Sequence, residues 1–348
     1  MKNFKYSLIG AFILILLLPN VVMIVDLAYD SDGHTKVPAF NLRSPIRSLA
    51  LLRDYYNENL GLKKNCIDIY VNAKINGFGD DPFPNKVITG KNGWYFLGDS
   101  YNDLFKDAFG NLNISNAKLE SVSNELMGIK KYLKQQDIDF YIVFPPNKHN
   151  IYKEYLPFSL RQKDTRLDRL NSYLTTNAGI SIIDLRDVLR KNKKTDLYLK
   201  TDTHWNQYGA FLGYDKVMEE INTSKIVAKR NIKEYIVNKS IKANGDITKM
   251  LNLDIATQDL QLSPKFTPTK VVMESTNDKV HIINKAKPFK LLMYRDSFAD
   301  AWMDFFDETF GEVVYLKGAT VNEQDIEKEK PDIVIIELIE RNLEYLVN

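Results

Sequence analysis

The feature that most constrains this chain is a repeated order of short apolar runs and helical stretches. Asp139-Phe-Tyr-Ile-Val-Phe-Pro-Pro146 reads as a buried strand. A helix-spaced stretch around Thr165 to Thr176 follows, then a second apolar run, Ile180-Ser-Ile-Ile-Asp-Leu185. Strand, helix and strand in succession call for a right-handed crossover and a parallel sheet. The pattern returns late in the chain: Lys290 to Tyr294, Glu312 to Leu316 and Asp332 to Glu337, separated by helical stretches. The expectation is a five-stranded α/β sheet flanked by helices, with reactive groups at the C-terminal ends of the strands. Leu119, Val122, Leu126, Ile129 and Leu133 predict a further helix over Asn116 to Gln136.

Two regions stand outside this pattern. Between about residues 222 and 288 the chain is rich in Lys, Thr and Asn, and pieces such as Val271-Val-Met and Val280-His-Ile-Ile predict a β-rich insertion. Lys86 to Leu97 reads as a hairpin turning at Lys91-Asn92-Gly93, because Gly accepts positive φ.

At the N-terminus, Lys2 and Lys5 precede an uncharged, mostly apolar run from Tyr6 to Val25 that ends at Asp26. About twenty such residues span a hydrocarbon core. Lysines on the N-terminal side keep that end cytoplasmic. No small-x-small cleavage site follows, so the run is expected to be a retained signal anchor: a single-pass segment in the cell membrane with the rest of the chain on the extracytoplasmic side. The expected division is an anchor over residues 1–30, a stalk and helical collar over 31–85, and a catalytic domain over 86–348.

Composition removes several functions. The chain has 47 basic and 45 acidic residues among 348, a formal net charge of +2, with no basic stripe for a phosphate backbone. No nucleic-acid partner is expected. Cys66 is the single cysteine, and His34, His149, His204 and His281 are too scattered for an HExxH-type site, so neither metal nor cofactor is expected.

The sharpest local motif is Leu197-Tyr-Leu-Lys-Thr-Asp-Thr-His-Trp-Asn-Gln-Tyr-Gly-Ala210. Asp202 and His204, two apart, suit an acid that fixes the tautomer of a basic histidine. The competing reading is a helix start capped by Asp202 or Thr203, with His204 on the surface. Two of the Asp-Ser pairs offer a nucleophile, Gly98-Asp-Ser100 and Tyr294-Arg-Asp-Ser-Phe298. Ser297 lies between a buried run and the helical stretch Ala299 to Phe306, where its own N–H and a helix dipole face a developing oxyanion. Ser100 follows only a hairpin.

These segments resemble the SGNH (GDSL-type) hydrolases in rotated order. Asp202-Thr-His204 looks like the block that usually closes that family's chain, and Tyr294-Arg-Asp-Ser-Phe298 like the block that opens it. The resemblance implies a circularly permuted SGNH-like sheet. Together with the anchor, the Gly90-Lys-Asn-Gly-Trp94 hairpin and Pro145-Pro-Asn-Lys-His-Asn-Ile-Tyr-Lys-Glu-Tyr-Leu-Pro157, it resembles the alginate O-acetyltransferase group, whose members include AlgJ and AlgX. What this implies is an extracytoplasmic enzyme that takes an acetyl group from a multi-pass membrane O-acyltransferase partner and places it on polysaccharide hydroxyls. Ser297 is then nucleophile, His204 base and Asp202 orienter. Two departures stand out: Arg295 replaces the Gly of the common Ser block, and one residue separates Asp from His instead of two.

Further residues have competing readings. Gly318 and Asn342 fall where the fold places oxyanion donors, although Gly after a strand is also an ordinary turn. Arg295 suits an anionic glycan or an outward-facing structural role. Asn147 and Lys148 line the cleft or sit in a solvated loop. Trp205 stacks on a sugar or packs internally. The rival functions are a glycan acetyl-esterase with the same residues and a non-catalytic polysaccharide-binding scaffold of a secretion complex.

Overall fold

A computed structural model of the chain describes residues 2–29, 37–161 and 163–347. It comprises two compact units, Met1–Pro82 and Phe83–Asn348.

In the first unit the helix Lys2–Tyr29 contains an apolar stretch, Phe4–Leu27, long enough to cross a membrane. The helices Pro45–Asn59 and Lys63–Asn72 occupy the segment expected to form a collar, while positions 31–36 of the expected stalk lie outside the described residues. Pro45 starts the first of these helices, where its missing N–H has no intrahelical role. The Tyr56 hydroxyl donates to Asn20 Oδ1 at 2.7 Å.

Among the described residues the second unit carries eleven strands: β1 (Val87–Thr89), β2 (Tyr95–Leu97), β3 (Asp139–Phe144), β4 (Ile182–Asp184), β5 (Tyr235–Lys242), β6 (Thr257–Pro264), β7 (Val271–Ser275), β8 (Lys279–Ile283), β9 (Lys290–Arg295), β10 (Glu312–Lys317) and β11 (Ile333–Glu337). Seven form one sheet in the order β4-β3-β11-β9-β10-β8-β7. The first five are parallel and are the five apolar runs of the sequence. The fold is thus a mixed α/β sheet flanked by helices.

Period-two alternation assigns the faces of the central strand. Val334 and Ile336 of β11 pack with Leu126 and Leu133 of the helix Asn116–Gln135 and with Leu292 of β9. Ser115 caps that helix. A Thr165–Asp168 capping box starts the helix Arg166–Ala178, and Gly179 at φ 58 ends it. A second, aromatic cluster joins the helix Gln207–Ile221 to the segment after β9 through Phe211, Tyr214, Trp302, Phe305 and Phe306.

The 222–288 segment supplies two hairpins. β7 and β8 extend the sheet antiparallel to β10. β5 and β6 form a separate two-stranded ribbon whose side chains are largely exposed on β5, so it left little apolar signal. The stretch after β9 is also more broken than a uniform helix: a 3₁₀ segment, Ser297–Trp302, precedes one α-turn, Met303–Phe306.

Candidate active site

The Asp-Thr-His motif sits on a tight hairpin. Tyr198 bridges to Trp205, Leu199 N–H donates to His204 O at 3.1 Å, and Asn206 N–H donates to Leu197 O at 2.9 Å. The cap of the following helix is Asn206, whose Oδ1 accepts Gly209 N–H at 2.9 Å. Asp202 and Thr203 therefore precede the helix and do not cap it. Their side chains belong to the hairpin.

Ser297 begins the turn that leaves β9, and Asp296 shapes that turn. Its Oδ1 accepts Phe298 N–H at 2.9 Å, and its Oδ2 accepts Ile339 N–H at 2.8 Å and Asn342 Nδ2–H at 2.9 Å. Its own N–H donates to Oε2 of Glu337, the last residue of β11, at 3.1 Å. Burial and the charge of Asp296 push the Glu337 carboxyl well above the usual carboxylate range.

These two turns meet. His204 Nε2 lies 3.0 Å from Ser297 Oγ, and His204 Nδ1 lies 2.7 Å from Asp202 Oδ1. Ser297 is exposed and His204 half-buried, so the serine end opens to solvent while the acid end is covered. A cleft of about 310 Å³ opens beside them, lined among others by Gln207, Gln261, Asp300 and Asp304. Burial opposes ionisation of Asp202, but hydrogen bonds from the His204 ring and amide, with the Lys242 charge nearby, hold its carboxyl well below the usual range. The series therefore has an ionised acid, an imidazole oriented by it, and a hydroxyl within reach of the far ring nitrogen, which is what nucleophilic acyl transfer requires. Ser100, by contrast, lies on the turn after the β1–β2 hairpin, its N–H bonded to Asn85 O at 2.8 Å.

The acid end is completed by residues the sequence did not mark. Lys242, the last residue of β5, approaches Asp202 Oδ2 at 3.6 Å. Asp246 N–H donates to the same oxygen at 3.2 Å, and Asp246 Oδ1 accepts Thr203 N–H at 2.6 Å. Burial, then the charge of Asp202, raises the Asp246 carboxyl. A side chain on Gly245 would strike the Thr201 carbonyl, so the insertion can lie this close only with glycine there. Asp246 follows Asp202 by 44 positions, and no local pattern ties the two. Asp202, His204 and Asp246 bring their potential ligand atoms within 4.8 Å of one another, but both carboxylates are engaged by N–H and O–H donors, a hydrogen-bond network more than a metal centre.

The remaining sequence candidates turn inward. Gly318, at φ 122, gives its N–H to Arg295 O at 3.0 Å, which removes the group an oxyanion would need. Asn342 spends an amide hydrogen on Asp296. Arg295 does not face outward; its side chain is 12% exposed, ion-paired with Asp300 and bonded to the Asp296 carbonyl. Trp205 is 2% exposed, donates Nε1–H to Phe298 O at 3.0 Å and packs against Phe298 and Trp302, so its faces are unavailable to a sugar. Asn147 and Lys148 are both buried, not in a solvated loop; they line a separate small pocket with Thr203 and Arg341 and not the cleft beside Ser297, and Asn147 N–H donates to Glu340 Oε2 at 3.0 Å.

A largely parallel sheet with a serine turn at the C-terminal edge of one strand and a loop carrying an acid and a histidine facing it suits an SGNH hydrolase-like domain. Residues 87–308 match the family described as "SGNH hydrolase-like domain, acetyltransferase AlgX", and the chain belongs to that family. It is 24% identical over 218 residues to the probable alginate O-acetylase AlgJ of Azotobacter vinelandii, a match covering 60% of this chain and 52% of that protein. The chain thus spans about half the length of this curated relative. Among solved structures, PatB1 of Bacillus cereus is similar at TM-score 0.57 and 21% identity, over 74% of this chain and 96% of PatB1. A DHHW family protein of Eubacterium siraeum is similar at TM-score 0.53 and 14% identity, over 76% of this chain and 95% of its own. At these identities the likeness is one of fold.

Proposed function

We propose that this protein is an O-acetyltransferase that moves an acetyl group onto hydroxyls of an extracellular or cell-surface polysaccharide through an acyl-serine. The observation that carries the reading is the unbroken series Ser297 Oγ, His204, Asp202 at 3.0 and 2.7 Å, in a chain of the acetyltransferase family. Ser297 Oγ attacks the acyl carbonyl and its proton passes to His204 Nε2, which delivers it to the leaving group. A sugar hydroxyl then gives its proton to the same nitrogen and attacks the acyl-serine; the departing Ser297 Oγ takes that proton back. Asp202 stays ionised and holds the ring. The Ser297 amide, at the head of its turn, supports an oxyanion donor role.

The apolar helix Lys2–Tyr29 supports a single-pass anchor with the catalytic unit on the extracytoplasmic side, and a multi-pass membrane O-acyltransferase is the matching acetyl donor. The anchor, collar and catalytic boundaries near residues 30 and 85 belong to the same reading.

The test is an acetyl-ester assay with and without acceptor oligosaccharide. The purified protein should release nitrophenol from an acetyl ester, carry an acetyl mass on Ser297, and yield acetylated sugar when acceptor is present. Full activity of Ser297→Ala would sink the assignment and direct the search to Ser100. Acetyl-serine that passes only to water, with every acceptor tried, would make the protein an esterase.

A further inference from the structure

Lys148 opens the short helix Lys148–Ile151 after β3, and the residue is 6% exposed. Its Nζ–H groups donate to three main-chain carbonyls of the hairpin that carries the Asp-Thr-His motif: Leu199 at 3.1 Å, Lys200 at 3.2 Å and Asp202 at 2.7 Å. The rings of Trp94 and Phe96 lie 5.8 and 5.4 Å from the same nitrogen. The Lys200 carbonyl also takes Tyr95 N–H at 2.9 Å, so β2 and Lys148 grip one point of the hairpin together.

An ammonium buried in this way is expensive unless every N–H finds an acceptor. A methionine would fill the same space without that desolvation. Three carbonyls matched to three N–H groups therefore mark a charge held for its donors. The charged groups facing it are Asp202 and Asp246, which favour the ammonium, and Arg341, which opposes it; burial is the largest effect and pulls Lys148 down to about 7.

We propose that Lys148 is a positioning residue of the active site: its ammonium clamps the 199, 200 and 202 carbonyls and so fixes the direction in which Asp202 and His204 meet Ser297. The proposal rests on the acyl-serine reading. Because Lys148 does not line the cleft, its removal should act on turnover and leave ester binding alone. Its ammonium, bonded to the Asp202 carbonyl, also places a positive charge beside the Asp202–His204 pair. The other charges around that imidazole, Asp202 and Asp246 beside Nδ1 and Lys242 beyond Asp202, remain in the variants.

The experiment compares wild type, Lys148→Met, Lys148→Gln and Ser297→Ala in acylation by a nitrophenyl acetate, with thermal melting as the check on folding. Lys148→Met should lower the acylation kcat about 100-fold, with KM changed less than about twofold. Lys148→Gln keeps two N–H donors and should recover part of the rate. In both, loss of the charge should move the acid limb of kcat/KM to higher pH, which a mere space-filler would not do. Wild-type rates and an unmoved limb in either folded variant would overturn the proposal.

If neither variant folds, hydrogen exchange on the wild-type full chain decides. Amides of residues 197–206 should lose protection beyond the intrinsic pH effect as the ammonium discharges between roughly pH 6 and 9, and unchanged protection would overturn the proposal. Ser297→Ala acylating like wild type would instead defeat the acyl-serine reading, with the exchange arm still judging Lys148.

Discussion

One carboxylate oxygen of Asp202, Oδ1, accepts both the ring Nδ1–H of His204 at 2.7 Å and its main-chain N–H at 3.1 Å. The second bond fixes the loop and the first fixes the ring, so a spacing of two suffices where the ordinary motif has three. Asp202→Asn should leave the hairpin folded but remove the charge that stabilises an imidazolium. Acylation should fall roughly 10³-fold or more.

The same residue sets a stability signature at low pH. The folded Asp202 carboxyl is depressed, so its contribution is present above the ordinary carboxylate value, about pH 4, and is lost as pH falls toward the folded value. The urea midpoint of wild type minus that of Asp202→Asn should shrink on acidification through this range. A difference that stays constant would show that Asp202 is not held in its ionised form by the fold.

Gly245→Ala tests whether the insertion is part of the active site. Its Cβ would meet the Thr201 carbonyl, a backbone atom that cannot swing aside, so either the insertion lifts or the Asp-Thr-His hairpin shifts. Either displacement breaks the Asp246 bonds to Asp202 and Thr203. Nitrophenyl-ester turnover should fall about 10- to 100-fold, as expected of a misplaced catalytic group. Unchanged turnover would mean that the 242–248 segment is a bystander.

What the sequence showed and what it hid follow from the range of the interactions. The parallel strands were legible because both faces of each are covered, which demands continuous apolar runs such as Ile333-Val-Ile-Ile336. Ser297 stood out by its place after such a run. Lys148 stood out only as a cleft or loop candidate and Asp246 carried no local mark, since each acts on the hairpin through contacts made only when distant segments close. Trp205 stayed ambiguous because an indole beside a histidine suits a sugar or a packed interior; its burial depends on Phe298 and Trp302, nearly a hundred positions away. Gly318 was ambiguous for a different reason: its place after a strand suits a donor or an ordinary turn, and only the folded chain brings the Arg295 carbonyl to its N–H.

Glu337 predicts a pH effect of opposite sign to that of Asp202. Its folded carboxyl is raised by burial and by Asp296, so ionisation in the unfolded chain increasingly opposes folding as pH rises above the ordinary glutamate value. Glu337→Gln removes that penalty while retaining an oxygen for Asp296 N–H. The urea midpoint of Glu337→Gln minus that of wild type should therefore grow between roughly pH 5 and 8. A flat difference would indicate that the carboxylate is stabilised in place.

The division at Pro82 predicts how the chain behaves when cut. The sheet, the aromatic cluster and all of Ser297, His204 and Asp202 lie within Phe83–Asn348, while Phe4–Leu27 lies in the other unit. The hydrophobic stabilisation of the larger unit comes from side chains such as Leu292, Val334 and Phe306, all fully buried. A fragment spanning residues 83–348 should therefore be soluble without detergent, melt cooperatively and hydrolyse a nitrophenyl ester within about twofold of the full chain. The full chain should partition with membranes and resist carbonate extraction. Acetyl transfer from a membrane-embedded donor should separate the two: the fragment, no longer tethered, loses the effective concentration that an anchor supplies. Equal transfer by fragment and full chain at matched low concentration would show that the apolar helix has no part in meeting the donor.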